Sequence, residues 1–335
     1  MLSKKIGIDL GTSTVLIHVK GEGIVINEPS LVAINRERTR IVAIGARAAD
    51  MVGRAPDSIS LVRPMRDGVI ADFLVTEGML HQLIGKAQGR QRFFKPEVMM
   101  SVPSAVSSLE RRAVTEAAIS AGARQAWLID EPLAAAMGAG IPISESRGHA
   151  ICDIGGGTTE IAVISLSGMV VAQSIRVGGN RIDESITAHL QRRHNLLIGE
   201  RTAEELKIAV ASAVPVDEPL LMEVKGRDLL TGLPRRLTVS TAEIAEAVEE
   251  PLGAIVAALR GVLEETPPEL ASDILERGLV LTGGGAQLRG IDRFLSRHTG
   301  LKVRVAADPQ TSVVRGAGLA LDRFEVLKPN QSYLR

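Results

Sequence analysis

Short apolar runs bounded by glycine or an acid recur along the chain, and two stretches arrange them in the same order. In residues 4–19 and 151–166, an apolar run ends in an aspartate, glycine and hydroxyl residues follow, and a second apolar run begins. Such runs between turn residues are typical of buried strands. The pattern therefore predicts two similar hairpins and a duplicated α/β fold whose halves face each other across a cleft.

Apolar positions at helical and strand spacing predict the remaining elements. Ser107 followed by Glu110, and Thr202 followed by Glu205, have the residue types of capping boxes, and each is predicted to begin a helix. Pro251 is predicted to kink the helix in which it lies. The other predicted elements are strands over residues 21–27, 30–34, 98–102, 127–130 and 278–281, and helices over residues 73–85, 180–197, 240–265, 287–298 and 312–324.

The composition limits the classes of function. Apolar residues make up 45% of the 335 residues and aromatic residues only 2%, so the core must consist of Ala, Val, Ile and Leu. The 39 basic and 39 acidic residues give no net charge, which argues against a general nucleic-acid-binding surface. Cys152 is the only cysteine, which excludes an intrachain disulfide and fits a reducing cytosol. The sequence has no run of about 18 apolar residues to span a membrane, and an acid interrupts the first apolar run before a signal peptide can form.

Residues 153–160 have the composition of a phosphate-binding turn. Three consecutive glycines, at positions 155–157, let the backbone approach a ligand and turn successive N–H groups towards an anion. Asp153 before them can hold the water shell of a Mg²⁺ ion. A tight hairpin whose aspartate only caps a turn fits this stretch alone equally well. The related turn after Asp9 strengthens the phosphate interpretation, because two such turns can close one site.

Other nucleotide and catalytic motifs are absent from the sequence. There is no Gly-x-x-x-x-Gly-Lys-Ser/Thr loop, and no Gly-x-Gly-x-x-Gly follows a strand, so neither a P-loop NTPase nor a Rossmann dehydrogenase is supported. No Gly-x-Ser-x-Gly elbow marks a hydrolase triad, and the six histidines show no metal-ligand spacing. Phosphates must therefore be bound in another way.

Two acidic hairpins, a glutamate that opens a helix after a strand and a third glycine turn together resemble the actin, Hsp70 and sugar-kinase superfamily. Within it, the chain is similar over essentially its whole length to MreB-type bacterial actins. Some matching segments have no obvious phosphate role, which argues against coincidence. The matching segments are Asp9-Leu10-Gly11-Thr12, residues 21–30, residues 63–73, Glu131-Pro132, residues 153–160 and residues 281–286.

The resemblance implies an actin-like ATPase fold, with two duplicated ribonuclease-H-like α/β domains around a nucleotide cleft. The irregular, charged pattern of residues 35–65 and the strand-rich end of residues 182–240 predict one small inserted subdomain in each half. The implied subdomains are IA (residues 1–34, 66–145 and 312–335), IB (35–65), IIA (146–181 and 241–311) and IIB (182–240).

The same resemblance assigns roles in binding ATP or ADP with Mg²⁺. Asp9 and Asp153 would surround hydrated Mg²⁺, and Glu131 would orient the attacking water. Catalysis would rest on positioning and charge neutralisation, and slow ATP hydrolysis would be coupled to assembly. The implied nucleotide-binding residues are Thr12, Ser13, Thr14, Gly155, Gly156, Gly157, Thr158, Glu204, Glu205, Leu206, Lys207, Gly284, Gly285 and Ala286.

Three positions depart from the pattern of MreB-type proteins. Ser13-Thr14 stands where most of them have Ala-Asn, Asp130 replaces a usual Glu, and Gln287 replaces an apolar residue. The first departure lies beside the implied phosphates, so it bears on nucleotide affinity or on the rate of hydrolysis.

A basic segment around residue 93 is the candidate membrane contact. Phe93 and Phe94 are two of only five phenylalanines and lie between Arg92 and Lys95. Such a pair is suited to insertion into an anionic lipid surface, although phenylalanine rings more often pack into a core. MreB-type proteins bind membrane through a hydrophobic loop here or an N-terminal amphipathic helix, and four residues before the first strand leave no room for that helix. We therefore hypothesise that both rings insert.

The leading functional hypothesis is an actin-like filament that binds ATP in the cytoplasm, on the inner face of the cell membrane, and organises cell-wall synthesis to maintain rod shape. The resemblance implies head-to-tail polymerisation, paired antiparallel protofilaments and membrane-bound cell-wall synthesis partners, and it implies no nucleic acid. An Hsp70-type chaperone would need a substrate-binding domain after the ATPase, for which we expect no residues to remain. A small-molecule kinase would need a second acid aimed at a substrate hydroxyl, and the sequence identifies none.

Overall fold

Strands and helices alternate along the chain in the computed structural model, which describes residues 3–37, 40–89 and 94–322. The strands are β1 (Lys5–Leu10), β2 (Thr14–Val19), β3 (Gly23–Pro29), β4 (Val32–Asn35), β5 (Ile41–Ile44), β6 (Ile59–Val62), β7 (Met65–Arg66), β8 (Val69–Ile70), β9 (Glu97–Val102), β10 (Gln125–Asp130), β11 (His149–Ile154), β12 (Thr159–Ser165), β13 (Gly168–Ile175), β14 (Leu196–Leu197), β15 (Leu221–Asp228), β16 (Pro234–Ser240), β17 (Leu279–Thr282) and β18 (Val303–Val305). The helices are α1 (Ala46–Ala49), α2 (Phe73–Gln88), α3 (Ser108–Ser120), α4 (Glu131–Gly138), α5 (Gly179–His194), α6 (Glu200–Val210), α7 (Thr241–Glu265), α8 (Pro268–Arg277), α9 (Ile291–Thr299) and α10 (Ser312–Asp322).

Two five-stranded sheets share one topology. Their strand orders are β3-β2-β1-β9-β10 and β13-β12-β11-β17-β18. In each sheet, three consecutive strands form an antiparallel meander, and the first of them also pairs in parallel with a later strand. This repeat confirms the predicted duplication. It also places the two predicted turns, after β1 and after β11, at equivalent positions.

A smaller sheet accompanies each half. The order β5-β4-β6 lies within residues 32–62, and the order β14-β15-β16 lies within residues 196–240. The predicted insertion over residues 182–240 contains all three strands of the second small sheet. The predicted insertion over residues 35–65 contains only β5 and β6 of the first, because β4 (Val32–Asn35) lies almost entirely before it. The residue boundaries of the four subdomains remain our proposal.

One apolar cluster joins the two large sheets. It contains Met99 of β9, Ile151 of β11 and Val280 of β17, together with residues of α4 and α10. Separate clusters lie under each sheet, on the opposite face. The two halves of the chain are therefore built on a common buried layer rather than joined only by loops.

Of the two predicted capping boxes, the structure confirms one. The Ser107 side chain accepts a hydrogen bond from the Glu110 amide, and Glu110 accepts one from the Ser107 amide, which confirms that capping box. The prediction at Thr202 was wrong, because α6 begins at Glu200 after Gly199. Threonine and glutamate also suit the first turn of a helix, so their spacing alone does not determine where the helix starts.

The region after the third glycine turn also differs from the prediction. A helix over residues 287–298 was expected, but a 3-10 helix over Gly284–Gln287 comes first and α9 begins only at Ile291. The left-handed backbone of Gly290 separates the two, because a residue in that conformation cannot continue an α-helix. Helix α7 runs through the buried Pro251 and ends at Glu265.

Candidate functional site

The turns after β1 and β11 meet face to face. A Cβ atom placed on Gly157 would lie 2.5 Å from the Thr12 hydroxyl oxygen, and one placed on Gly156 would overlap Ser13. Each turn closes in the same way, since the first glycine of the turn donates its amide to a threonine carbonyl three residues later. Glycine is therefore required at positions 156 and 157 for the two turns to approach this closely.

Helix α5 holds the second turn from behind. The amides of Gly179 and Asn180, in its first turn, donate to the carbonyls of Gly155 (2.9 Å) and Gly156 (2.8 Å). In a trans peptide the C=O points opposite to the following N–H. The N–H groups of Gly156 and Gly157 therefore point away from α5.

Four backbone amides in these turns are free to bind a ligand. The N–H groups of Thr12, Ser13, Gly156 and Gly157 donate no hydrogen bond to any residue that the structure describes. Buried or partly buried amides without partners are unusual, and successive amides in a turn are a common anion site. The two turns thus have the donors that a chain of phosphate groups requires.

Polar contacts tie the two halves together around the turns. The Ser13 hydroxyl donates to Asn180 Oδ1 across the site at 2.9 Å. Further out, Arg63 after β6 donates to Glu200 at the start of α6 at 2.8 Å. Both contacts join a residue of the first half to a residue of the second, but only the Ser13–Asn180 contact lies at the turns, since the Arg63–Glu200 pair is exposed at the surface.

Carboxylates line the floor between the turns. Burial raises the pKa of Asp9 to about 6, although the Ser101 hydroxyl donates to it at 2.9 Å. Burial, and then the charges of Asp9 and Glu160, raise the pKa of Asp153 to about 7. Asp153 Oδ1 is buried and has no hydrogen-bond partner among the described residues.

Glu131 begins helix α4 and faces the same carboxylates. Burial raises its pKa well above the ordinary value for a glutamate, and the charges of Glu160, Asp9, Asp153 and Asp130 raise it further. Among the causes of these shifts no basic residue offsets the negative charge of Asp9, Asp153 or Glu131. Buried carboxylates with an orphaned oxygen and no cationic partner fit a hydrated divalent cation.

The described residues of this floor do not form a metal site of three or more ligating side chains. Within residues 3–37, 40–89 and 94–322, no three His, Cys, Asp or Glu side chains are spaced to hold a metal ion between them. A Mg²⁺ ion that keeps its own waters needs only one or two carboxylates nearby. The pair Asp9 and Asp153 meets that requirement.

Glu160 was not singled out from the sequence, although it lies in the same cleft. It is fully buried on β12, directly across from Asp153 on β11. Its carboxylate accepts hydrogen bonds from the Ser104 amide (3.0 Å), the Ser104 hydroxyl (2.6 Å) and the Ser174 hydroxyl. The sequence signal that could have identified Glu160 is that it is the charged residue in the otherwise apolar strand that begins at Thr159.

The remaining predicted phosphate contacts are not equally accessible. Thr12 and Thr158 are buried at the turns, Ser13 is half-buried, and Thr14 is exposed at the start of β2. Exposure therefore distinguishes Thr14 from the two buried threonines of the turns.

Helix α6 brings one of its predicted residues to the second turn. Lys207 donates to Asp183 of α5 at 2.8 Å and to the Gly179 carbonyl at 3.2 Å, beside the amides that hold Gly155 and Gly156. Glu204 and Glu205 are exposed, whereas Leu206 is fully buried in the core. Leu206 can therefore offer a ligand only its backbone, while Glu204 and Lys207 offer side chains.

The third glycine turn packs against the end of β11. The backbone of Gly283 is left-handed, and a Cβ on Gly283 or Gly285 would overlap Ile154, the residue before the second turn. Gly284 is exposed and Ala286 is buried. This contact places residues 284–286 next to the glycine turn, as a third wall of the same site.

The candidate membrane segment is described only in part. Phe93 lies outside the described residues. The Phe94 side chain is 47% exposed, so that ring does not pack into the core. Nowhere in the described part of the chain does a helix have the length and apolar character needed to cross a bilayer.

Comparisons with known proteins identify the family of this chain. The family model described as MreB/Mbl protein matches residues 3–329. The cell shape-determining protein MreB of Escherichia coli K12 is 52% identical, with 97% of this chain and 95% of that protein covered. The cell shape-determining protein Mbl of Bacillus subtilis is 46% identical, with 98% of each chain covered.

Solved structures give the same result. MreB5 of Spiroplasma citri, in a crystal structure bound to ADP, superposes with a TM-score of 0.92 at 36% identity and covers 98% of this chain and 99% of its own. The same protein bound to AMPPNP also has a TM-score of 0.92. The actin-like fold expected from the sequence is thereby confirmed.

Proposed function

Since this chain belongs to the MreB/Mbl protein family, we propose that it is an actin-like cytoskeletal protein that binds ATP, polymerises into filaments and determines cell shape. The observation that carries the proposal is the set of four amides, unpartnered among the described residues, in two adjoining turns beside buried, uncompensated carboxylates. Donors for phosphate and acids for a hydrated cation lie together, as MgATP requires.

The residues of the two turns would bind the phosphates. The amides of Thr12 and Ser13 would approach from one side and those of Gly156 and Gly157 from the other, with the hydroxyls of Thr12 and Thr158 close by. Asp9 and Asp153 would hold the waters of a Mg²⁺ ion, which when bound neutralises phosphate charge. Glu204 and Lys207 would contact the adenosine, and residues 284–286 would face it from the third wall.

Glu131 would orient the attacking water and accept its proton. Its raised pKa supports this role, because a carboxylate whose pKa is raised by burial and by neighbouring acids is a stronger base than an ordinary glutamate. No nucleophilic side chain is needed, and the rate depends on how well the water is placed. We expect slow hydrolysis coupled to assembly rather than metabolic turnover.

The finer features of the function are proposals of the same kind. We propose head-to-tail protofilaments that pair antiparallel, contact with membrane-bound cell-wall synthesis proteins, and a peripheral location on the inner face of the cytoplasmic membrane. Family membership supports these features, and the exposed ring of Phe94 supports the membrane contact.

A sedimentation assay with phosphate release tests the function directly. Purified protein with MgATP should pellet above a critical concentration and release phosphate slowly, while a panel of sugars should remain unphosphorylated. If the protein stays in the supernatant at every concentration, with and without lipid, the filament proposal fails. Phosphorylation of a sugar would instead support a small-molecule kinase.

Substitution of Gly156 by alanine is expected to weaken ATP binding at least tenfold. The new methyl group would overlap Ser13, so the two turns must move apart and the amides no longer converge. Equilibrium binding of a fluorescent ATP analogue measures the effect. Gly253→Ala is the matched control, because a Cβ there meets nothing within 4 Å and its binding should be unchanged. Unweakened binding by Gly156→Ala would mean that the phosphates do not lie between these turns.

Double substitution of Phe93 and Phe94 by alanine is expected to abolish pelleting with anionic liposomes. Loss of two inserted rings removes roughly 3–6 kcal/mol of apolar transfer energy. Leu275→Ala, at an apolar position of α8 that is 65% exposed, controls for a general loss of surface hydrophobicity. Undiminished pelleting of the double variant would exclude these rings as the membrane contact.

A further inference from the structure

Asp130, the residue directly before Glu131, is paired with a residue of another helix. It is fully buried at the end of β10, and its Oδ1 accepts a hydrogen bond from Arg111 Nη2 of α3. The side chain makes no capping hydrogen bond to α4, the helix that it precedes. The carboxylate is therefore committed to α3 rather than to the helix that carries Glu131.

The start of α3 is itself fixed at two points. The Ser107 and Glu110 capping box defines its first turn, one residue before Arg111. In the loop before it, Ser104 donates its amide and its hydroxyl to Glu160 of the second hairpin. One short segment, residues 104–111, thus contacts acids on two sides of Glu131.

The pair between Arg111 and Asp130 is incompletely satisfied. Asp130 Oδ2 and Arg111 Nη1 are buried and have no hydrogen-bond partner among the described residues. Burying such a pair gives little net stability, and apolar residues of similar volume often serve a fold better. Stability alone therefore explains the pair poorly. A role in holding the neighbouring Glu131 in place explains it better.

We propose that Arg111 and Asp130 are positioning residues for hydrolysis: their ion pair ties the junction of β10 and α4 to helix α3 and so holds the Glu131 carboxylate towards the bound phosphates. The inference rests on the proposed ATPase function. Neither residue is proposed to touch the nucleotide. Their effect should therefore fall on turnover and not on ATP affinity.

The main test is the double variant Arg111→Met/Asp130→Asn, which removes both charges together and leaves no buried charge unpaired. We expect kcat for ATP hydrolysis to fall about tenfold or more, since a small misplacement of a catalytic group has effects of this size. The dissociation constant of a fluorescent ATP analogue should stay within about twofold, and circular dichroism should remain native. Asp130→Glu, which keeps the charge, should retain most of the activity.

The single variants test the dependence of kcat on pH. A purely structural role would not shift this profile in opposite directions in the two variants. Arg111→Met leaves a negative charge beside Glu131, so the acid limb of kcat should move to higher pH. Asp130→Asn removes that charge, so the limb should move to lower pH. Arg112→Met is the matched control on the same helix, because the Arg112 side chain is 75% exposed and its ion pair among the described residues is with the exposed Glu116, at 3.7 Å.

The outcomes separate this inference from the function on which it rests. If the native chain hydrolyses ATP and the double variant hydrolyses it equally fast, the positioning role is wrong and the proposed function stands. If the double variant loses ATP affinity together with turnover while Arg112→Met keeps both, the pair is structural only. If the native chain hydrolyses no ATP under conditions in which it binds ATP and sediments, the ATPase role and this inference are both wrong.

Discussion

Glu131→Gln is expected to lower the rate of ATP hydrolysis by about 10²–10³-fold, in line with the loss of a general base. Glutamine keeps the shape of the side chain but cannot accept a proton from the attacking water. ATP binding should be retained or slightly tighter, because the substitution removes one of several like charges that face the phosphates. The variant should therefore bind ATP and sediment while releasing almost no phosphate.

Single-turnover phosphate release, measured together with equilibrium ATP binding, separates these two effects. Glu249→Gln, at an exposed position of α7, serves as the control and should hydrolyse ATP at the native rate. If Glu131→Gln also released phosphate at the native rate, Glu131 would have no part in the chemistry, and Glu160 would become the carboxylate to test next.

Asp153→Asn is expected to have opposite effects on the free protein and on its complex with MgATP. In the free protein the substitution removes a buried carboxylate with an orphaned oxygen, so the free energy of unfolding at pH 8 should rise by roughly 2–4 kcal/mol. In the presence of Mg²⁺, ATP binding should weaken by about tenfold or more, because one of two acids beside the cation is lost. In EDTA, where no cation is bound, the variant should bind ATP at least as tightly as the native protein, because it lacks one carboxylate that faces the phosphates.

The stabilisation by Asp153→Asn should depend on pH in a definite direction. The pKa of Asp153 is raised from 3.8 to about 7, so the unfolded chain loses this proton at lower pH than the folded chain does. The native protein therefore loses stability as pH rises from about 4 to about 7, and the loss is constant above that range. The difference between the variant and the native protein should be close to zero at pH 4 and largest at pH 8.

Thermal unfolding across this pH range provides the measurement. Asp228→Asn is a control in which the change in stability should have the opposite sign. Backbone hydrogen bonds from Thr231 and Leu230, together with the charge of Arg235, lower the pKa of Asp228. That substitution should destabilise the protein at pH 8. A melting temperature of Asp153→Asn below that of the native protein at pH 8 would show that the Asp153 carboxylate is not under strain in the free site.

The parts of the site that sequence could predict are those encoded in a few consecutive residues. The turns after Asp9 and Asp153 were predictable because an acid, glycines and hydroxyl residues stand side by side between apolar runs. Their repeat also predicted the duplicated sheets. Glycine in these turns permits close backbone approach whatever the rest of the chain does, so the prediction needs no knowledge of distant contacts.

The parts that sequence could not predict depend on contacts between distant residues. Glu160 is held by Ser104, 56 residues earlier, and Lys207 is paired with Asp183, 24 residues earlier. No local pattern identifies such partners. Similarly, the start of α6 is determined by the packing of Ala203 and Leu206 in the core, which outweighs the weak capping signal at Thr202.

The apolar cluster shared by the two large sheets affects how the site can open. Because Met99, Ile151 and the helices α4 and α10 form one packed layer, a change in the separation of the two turns requires these packed side chains to shift. We expect such shifts to be small and shared by the elements of the layer. A displacement at the phosphates would then be accompanied by movement in both halves of the protein.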